Sequence, residues 1–253
     1  MSTRYDCRDA RVRTAGIDAA IAAARAGELI VMPTDTVYGI GADAFIPAAV
    51  TTMLAAKGRG RNMPPPVLVG TARAAAALVD DLGAFGQDLI DEFWPGALTL
   101  VFRASPTLMW DLGDTRGTVA LRMPLHPVAL EVLKQTGPMA VSSANRHGQP
   151  AAVNADEAQQ QLGEAVSVYL DGGACADNVP STILDLTSTV PKLLRAGAIS
   201  VDRLRHVASV IADNEHYAPD AADFKPAAPH PMESSPGSGV GGLPDTSGGE
   251  PPA

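Results

Sequence analysis

The sequence is poor in aromatic residues and in cysteine. Phe, Trp and Tyr make up 4% of the 253 residues, whereas hydrophobic residues make up 46%. The chain is therefore apolar enough for a sizeable core, which must depend on Ala, Val, Leu and Ile. Only Cys7 and Cys175 are present, and we expect both to be free thiols in a reduced compartment.

Segments that would direct the chain into or across a membrane are also missing. No apolar run approaches the roughly 20 residues of a membrane-spanning helix. The first six residues have no apolar segment behind their charges and do not resemble a secretion signal. We therefore expect a cytoplasmic protein with no membrane partner. The five histidines show no ligand spacing such as His-Glu-x-x-His, which argues against a zinc site.

Negative charge is concentrated at the C-terminal end. Residues 212–253 carry −6 of the net charge of −9 and include eight prolines and six glycines. They cannot bury enough apolar surface to offset chain entropy, so we predict a disordered acidic tail, with a regulatory or docking segment as the alternative. Residues 1–211 carry only −3, unlike the broad basic face of a bulk nucleic-acid binder. A local cationic site is still open, because the stretch between Asp43 and Asp80 has four basic residues and no acidic one.

Hydrophobic periodicity predicts one domain over residues 1–211, in which helices and strands alternate. Helices are predicted at 17–26, from Pro47, and at 71–79, 87–93, 128–135, 155–162 and 201–211. Strands are predicted at 29–32, 67–69, 98–102, 119–123, 139–142, 166–170, 182–186 and 193–195. The late strands follow one another too closely for helical crossovers. We therefore predict an α+β fold, three-layer α/β/α, with helices packed on a mixed sheet.

Three short motifs place hydroxyls, cations and glycines beside these elements. Residues 33–41, Pro-Thr-Asp-Thr-Val-Tyr-Gly-Ile-Gly, are predicted as a loop whose glycines let a ligand approach the backbone. Lys57-Gly58-Arg59 puts two cations at the end of a predicted helix. Ser142-Ser143-Ala144-Asn145 follows a strand, a usual position for ligand-binding loops in α/β proteins. Together they indicate an activated nucleotide beside a small zwitterion.

In this order the motifs resemble those of the YrdC-like threonylcarbamoyl-AMP synthases. Residues 33–41 are similar to the opening motif of that family, and Lys57-Gly58-Arg59 to its Lys-x-Arg. Further matches lie at 93–99, 119–124, 143–145, 181–185 and 195–199, so that the resemblance covers roughly residues 15–205. It implies a twisted mixed sheet of the YrdC-like type. The polar tail does not resemble the extra C-terminal domain of the longer family branch, and we expect the short form.

The resemblance implies an adenylyl transfer. Family members condense L-threonine, bicarbonate or CO2, and ATP into threonylcarbamoyl-AMP and release pyrophosphate. Downstream transferase proteins then pass the threonylcarbamoyl group to adenosine 37 of tRNA, so we expect these proteins as partners and tRNA as a further candidate. Mg²⁺ is expected on the ATP phosphates rather than in a protein cage, and no tightly bound organic cofactor is expected.

The resemblance also assigns residues to each substrate. The residues assigned to ATP are Lys57, Arg59, Met63, Thr118, Ser143, Asn145, Ala151 and Arg195. Those assigned to threonine are Thr36, Tyr38, Leu68, Arg122, Val141 and Ser181. Lys57 and Arg59 are the catalytic candidates, because charge that builds up on phosphate oxygens calls for fixed cations. Arg122 lies in an apolar strand and needs a partner, either the threonine carboxylate or an internal acid such as Asp185.

Some positions depart from the family pattern. Met63 stands where Asn is usual, Leu68 where His is usual, and Ala151 where a hydroxyl is common. Val141 could contribute only its backbone. We expect these changes to affect affinity more than the type of reaction.

Structural alternatives remain open for the assigned residues. Lys-x-Arg could be a solvated helix end, Tyr38 plain core, and Arg195 an edge-strand surface charge. Thr36 and Ser181 could cap turns, and 143–145 could be a simple turn.

The whole chain also allows other functions. It could be a structured-RNA-binding module, although few aromatics and a near-neutral body argue against this. A carbamoyl-transfer module of the hydrogenase-maturation type would need more cysteines than two. A nucleotide-binding homologue without catalysis is kept open by Met63 and Leu68.

Overall fold

A computed structural model describes residues 1–175 and 178–213. The tail predicted over 212–253 lies outside the described residues, apart from its first two. Ala212 and Asp213 pair with Lys192 and Leu193 as a short parallel strand, which extends the sheet beyond residue 211.

The described part of the chain contains seven α-helices, one 3-10 helix at Gly163–Ala165 and eleven strands. The helices are α1 Ala10–Arg25, α2 Pro47–Lys57, α3 Ala72–Ala76, α4 Gly83–Phe93, α5 Pro127–Thr136, α6 Ala155–Leu162 and α7 Val201–Arg205. The strands are β1 Thr3–Asp6, β2 Ile30–Met32, β3 Gly39–Asp43, β4 Val67–Leu68, β5 Leu98–Arg103, β6 Thr118–Arg122, β7 Met139–Ser143, β8 Val168–Asp171, β9 Thr182–Asp185, β10 Lys192–Arg195 and β11 Ala212–Asp213.

All the strands belong to one mixed sheet in the order β1-β8-β2-β3-β7-β4-β6-β5-β9-β10-β11. The chain leaves β8 in one half of the sheet and enters β9 in the other half, and β9 then pairs antiparallel with β10. The connections from β8 to β9 and from β9 to β10 carry no helix among their described residues, as the sequence predicts. Helix α7 instead lies between β10 and the parallel strand β11.

Helices cover both faces of the sheet, which confirms the predicted three-layer arrangement. Alternating strand residues such as Ile30, Met32 and Val141 form a smaller core with α1 and α5. Their neighbours on the opposite face, such as Val31 and Ile40, form a larger core with α2, α4, α6 and α7. None of the helices in residues 1–175 and 178–213 combines the length and apolar character needed to cross a membrane.

Helix α2 agrees closely with its sequence signals. Pro47 occupies the first turn, where its fixed φ and missing N–H carry no penalty. Gly58 ends the helix in the left-handed conformation, with φ 71°. The helix therefore stops with Lys57 as its last residue.

The prediction of a loop over all of residues 33–41 was wrong. Gly39, Ile40 and Gly41 belong to β3, which pairs with β2 and β7. A Cβ placed on Gly39 would lie 2.6 Å from Val141 Cγ1 on the neighbouring strand. These glycines therefore admit a close strand neighbour, which a sequence pattern cannot distinguish from a turn.

Other boundaries also differ from the predictions. Helix α1 begins at Ala10 rather than at residue 17, because the side chain of Asp9 accepts a hydrogen bond from the Arg11 N–H and caps it. Helix α7 ends at Arg205 rather than at 211. Strand β1 was missed because its exposed Thr-Arg-Tyr-Asp sequence lacks an apolar alternation.

Candidate functional site

Several predicted site residues share one face of the sheet. Strand register aligns Leu68 with Arg122 and Gly39 with Ser143, and alternation puts Thr118 and Val141 on the same side. In one half of the sheet this face is covered by α1 and α5. Over the other half lies a cavity of about 300 Å³, lined in part by Pro64, Pro65, Thr118, Ala120, Asp185 and Lys192.

Lys57 is held inside the protein at the end of β7. It is 1% exposed, and Nζ donates hydrogen bonds to Ser143 O at 2.5 Å and to Asn145 O at 2.7 Å. Burial, helped by the nearby charge of Arg59, lowers the pKa of Lys57 to about 6. Lys57 is therefore not a solvated helix end. Its hydrogen bonds connect the motif 57–59 to the motif 142–145.

Arg59 approaches the same strand from the α2 side. Its NH1 donates to Ser142 Oγ at 3.1 Å, and the side chain is half-buried. Arg61, two residues later, is 57% exposed and forms an ion pair with Asp111 on the surface. Both residues are arginines, but it is Arg59 that places its guanidinium beside β7, whereas Arg61 points to the surface.

Arg122 is buried with an internal acid beside it. Its NH2 donates to Asp35 Oδ1 at 2.6 Å, NH1 to Thr36 Oγ1 at 2.9 Å, and Nε to Gly96 O at 2.9 Å. Burial lowers the pKa of Arg122, and the charge of Asp35 opposes that shift. The suggestion of Asp185 as internal partner was wrong.

Asp35 was missed as a site residue, although it is the acidic residue of the motif 33–41. The sequence pattern favoured the hydroxyls of the two flanking threonines as ligand-binding groups instead. The signal that could have found it is an acid within a motif assigned to a substrate that carries an ammonium group.

Ser181 and Arg195 form another pair. Arg195 donates from Nε and NH2 to Ser181 O, at 3.0 and 2.9 Å, and from NH2 to Ser181 Oγ at 3.0 Å. Ser181 Oγ also lies 2.7 Å from Thr99 Oγ1, a buried hydroxyl that the sequence did not single out. Arg195 is therefore anchored to Ser181 rather than a plain surface charge.

The structure places Tyr38 in the larger core, the alternative that the sequence left open. Its ring is fully buried, its hydroxyl donates to Gly173 O at 2.5 Å, and it accepts from Gly172 N at 3.0 Å. Burial raises the pKa of this phenol. Tyr38 therefore fixes the loop after β8 and has no surface to offer a ligand.

The remaining assigned residues are less closely connected. Leu68 and Val141 are buried in the smaller core. Thr118 lines the cavity and donates its hydroxyl proton to Thr115 O. Met63 and Ala151 are half-buried. Within the described part of the chain, neither side chain makes a hydrogen bond to another site residue.

Backbone contacts join the separate pairs into one region. Ala144 N donates to Tyr38 O at 2.7 Å, so the segment that holds Lys57 lies against the motif that holds Thr36. Arg122 contacts Gly96, and Thr182 N, next to Ser181, donates to Ala97 O. Lys57, Arg122 and Arg195 are thus linked to one another through neighbouring segments.

Comparison with known proteins identifies similar chains. The Sua5/YciO/YrdC family model, described as "Telomere recombination", matches residues 22–197. A "Putative threonylcarbamoyl-AMP synthase" of Mycobacterium leprae is 56% identical over 211 residues, covering 83% of this chain and 96% of that protein. The threonylcarbamoyl-AMP synthase of Bacillus subtilis is 35% identical, over 80% of this chain and 64% of that one.

A solved structure has a similar fold. The crystal structure of P. abyssi Sua5 complexed with L-threonine aligns with a TM-score of 0.74 and 31% identity. The alignment covers 85% of this chain and 62% of that one.

Proposed function

The chain belongs to the Sua5/YciO/YrdC family, and on this premise we propose that it is a threonylcarbamoyl-AMP synthase. It makes threonylcarbamoyl-AMP and pyrophosphate from L-threonine, bicarbonate or CO2, and ATP. Relatives with this name from two mycobacteria share 53–56% identity with it over 96–98% of their length.

One observation of the structure carries the proposal: the guanidinium of Arg122 is buried and donates a hydrogen bond to Thr36 Oγ1. A guanidinium can grip a carboxylate through two parallel hydrogen bonds. We assign Arg122 to the carboxylate of threonine and Thr36 to its polar groups, with Ser181 close by on the neighbouring segment. The L-threonine complex of the P. abyssi protein supports an amino-acid site in this fold.

The nucleotide half of the site is assigned to Arg59, Arg195 and the segment 143–145. In the transfer step a carbamate oxygen bonds to the α-phosphorus of ATP while the bond to pyrophosphate breaks. Cations aimed at the phosphate oxygens stabilise the charge that develops there. Arg59 supplies such a charge. Lys57 instead holds Ser143 and Asn145 in place, because its Nζ donates hydrogen bonds to their backbone oxygens.

Mg²⁺ fits this assignment as a companion of ATP. Within the described residues, no group of three or more His, Cys, Asp or Glu side chains could hold a metal ion. We propose that the ion arrives on the triphosphate, where it neutralises charge on the phosphates. The product requires a downstream transferase that accepts an acyl-adenylate, and tRNA as its final acceptor.

The direct test is pyrophosphate release from ATP by the purified full chain. We expect release only when L-threonine and bicarbonate are both present. Release that does not depend on threonine, or ATP binding without turnover, would contradict the proposal and favour a homologue that only binds nucleotides. Replacing threonine by serine should lower kcat/KM only modestly, because one methyl contact is worth about 1–3 kcal/mol.

A further inference from the structure

We propose that Asp35 binds the ammonium group of the amino-acid substrate, so that Asp35 and Arg122 together recognise a zwitterion. This inference rests on the proposed function and adds a specificity-determining residue to it. Arg122 would bind the carboxylate, and Asp35 would select substrates that carry a positive charge beside it.

The hydrogen bonds of Asp35 leave one carboxylate oxygen available. Oδ1 accepts from Arg122 NH2 at 2.6 Å and from Leu125 N at 2.9 Å. Across residues 1–175 and 178–213, Oδ2 accepts no hydrogen bond. The side chain is 14% exposed, which permits contact with a small ligand but shields it from bulk water.

Arg122 also has donors to spare. A guanidinium carries five N–H groups. One goes to each of Gly96, Thr36 and Asp35, so two are left over within the described part of the chain. The ion pair therefore has hydrogen-bonding capacity for a carboxylate and for an ammonium group while its own contact stays intact.

Charge balance favours a zwitterion over a simple carboxylate. Arg122 and Asp35 together are neutral, and a buried charge that lacks a partner is costly. A zwitterion adds one charge to each member of the pair. A carboxylate without an ammonium group would leave the site with an excess negative charge next to Asp35.

The competing explanation is that Asp35 only orients Arg122. The two explanations differ in which ligands depend on Asp35. If Asp35 merely positions the guanidinium, its loss weakens every ligand that has a carboxylate. If Asp35 binds the ammonium group, its loss weakens amino acids and spares the same molecule without the amino group.

Calorimetric titration of the full chain with L-threonine and with (R)-3-hydroxybutyrate, which is threonine without its amino group, separates them. We expect the wild type to bind threonine at least tenfold more tightly. Asp35→Asn should weaken threonine binding by about 10–100-fold, the scale for one charge-assisted hydrogen bond. Binding of 3-hydroxybutyrate should stay within threefold of the wild type or improve, and Asp35→Glu should regain part of the threonine affinity.

Asp111→Asn is the matched control, because it removes a surface acid that pairs with Arg61, and it should change neither affinity. A parallel loss of both ligands in a folded Asp35→Asn would overturn the proposal. If that variant does not fold, similar affinities of the wild type for the two ligands would overturn it. A wild type that binds threonine but is unaffected by Asp35→Asn refutes only this inference, whereas a wild type that binds neither ligand refutes the proposed function as well.

Discussion

Two buried cations of this protein are accommodated in different ways. Lys57 is 1% exposed and donates to backbone oxygens, with no carboxylate partner in the described part of the chain. Arg122 is 7% exposed and lies 2.6 Å from the carboxylate of Asp35. We call these places the Lys57 region, which includes Arg59, Ser143 and Asn145, and the Arg122 region, which includes Asp35 and Thr36.

The difference follows from the chemistry of the two side chains. A lysine can lose its proton, so burial without a counter-ion lowers its pKa, here to about 6. An arginine stays charged and therefore needs an acid when it is buried. Above pH 6 the positive charge of the Lys57 region therefore comes from Arg59, whereas the Arg122 region is a neutral pair of opposite charges.

The largest effect is expected in the Lys57 region. Arg59→Ala should lower kcat/KM for pyrophosphate release by about 10²–10³, the scale for losing one well-placed electrostatic donor. The matched control is Arg61→Ala, which removes an exposed arginine two residues away and should stay within twofold of the wild type. Steady-state rates for both variants check this, and an Arg59→Ala rate within threefold of the wild type would refute the assignment.

A smaller and different effect is expected in the Arg122 region. Arg122→Lys keeps the charge but cannot maintain all contacts with Gly96, Thr36 and Asp35. The KM for threonine should rise by about 10–100-fold, the range for charge-assisted hydrogen bonds. The KM for ATP should change by less than threefold, and an equal rise in both would show that the two regions do not serve separate substrates.

The junction between the regions can be tested through β3. Gly39→Ala would place a Cβ 2.6 Å from Val141 Cγ1 and should destabilise the fold by about 1–3 kcal/mol, as overpacking does. Denaturant unfolding measures the loss. Val141→Ala in the same chain should recover part of it, and a double variant no more stable than Gly39→Ala alone would rule out this contact as the cause.

The smallest effect is a pH dependence of stability. The pKa of Lys57 is about 6 in the folded state against 10.5 for an ordinary lysine, so the unfolded chain binds more protons between these values. Stability should therefore rise with pH across this window, and the cost of burying the charge is greatest below pH 6. Relative to Lys57→Met, the unfolding free energy of the wild type should increase between pH 7 and 8 by up to about 1.4 kcal/mol.

Unfolding titrations of both proteins at pH 6, 7 and 8 measure this difference. A difference that is constant with pH would mean that Lys57 remains charged throughout. In that case Lys57 and Arg122 would both be charged and would differ only in the groups to which they donate hydrogen bonds.

Much of the fold could be predicted because its signals are local. Helix α2 was placed correctly from Pro47, and α6 from the apolar spacing of 155–162. Strand β3 could not be recognised from Gly39 and Gly41, because those glycines accommodate Val141 from a strand about 100 residues later. The site followed the same rule: Lys57 and Arg59 came from a motif, whereas Asp35 and Thr99 became visible only through their neighbours.

The sequence by itself determined the residue types that we assign to a nucleotide and an amino acid, and most of the elements that carry them, because both depend on short segments. Only the tertiary structure decided that Asp35 rather than Asp185 neutralises Arg122, and that Lys57 is buried against Ser143 and Asn145. The physical reason is the short range of a hydrogen bond compared with the separation of the partners along the chain. A hydrogen bond acts over about 3 Å, and partners 87 or 88 residues apart meet only after the register of the sheet is set.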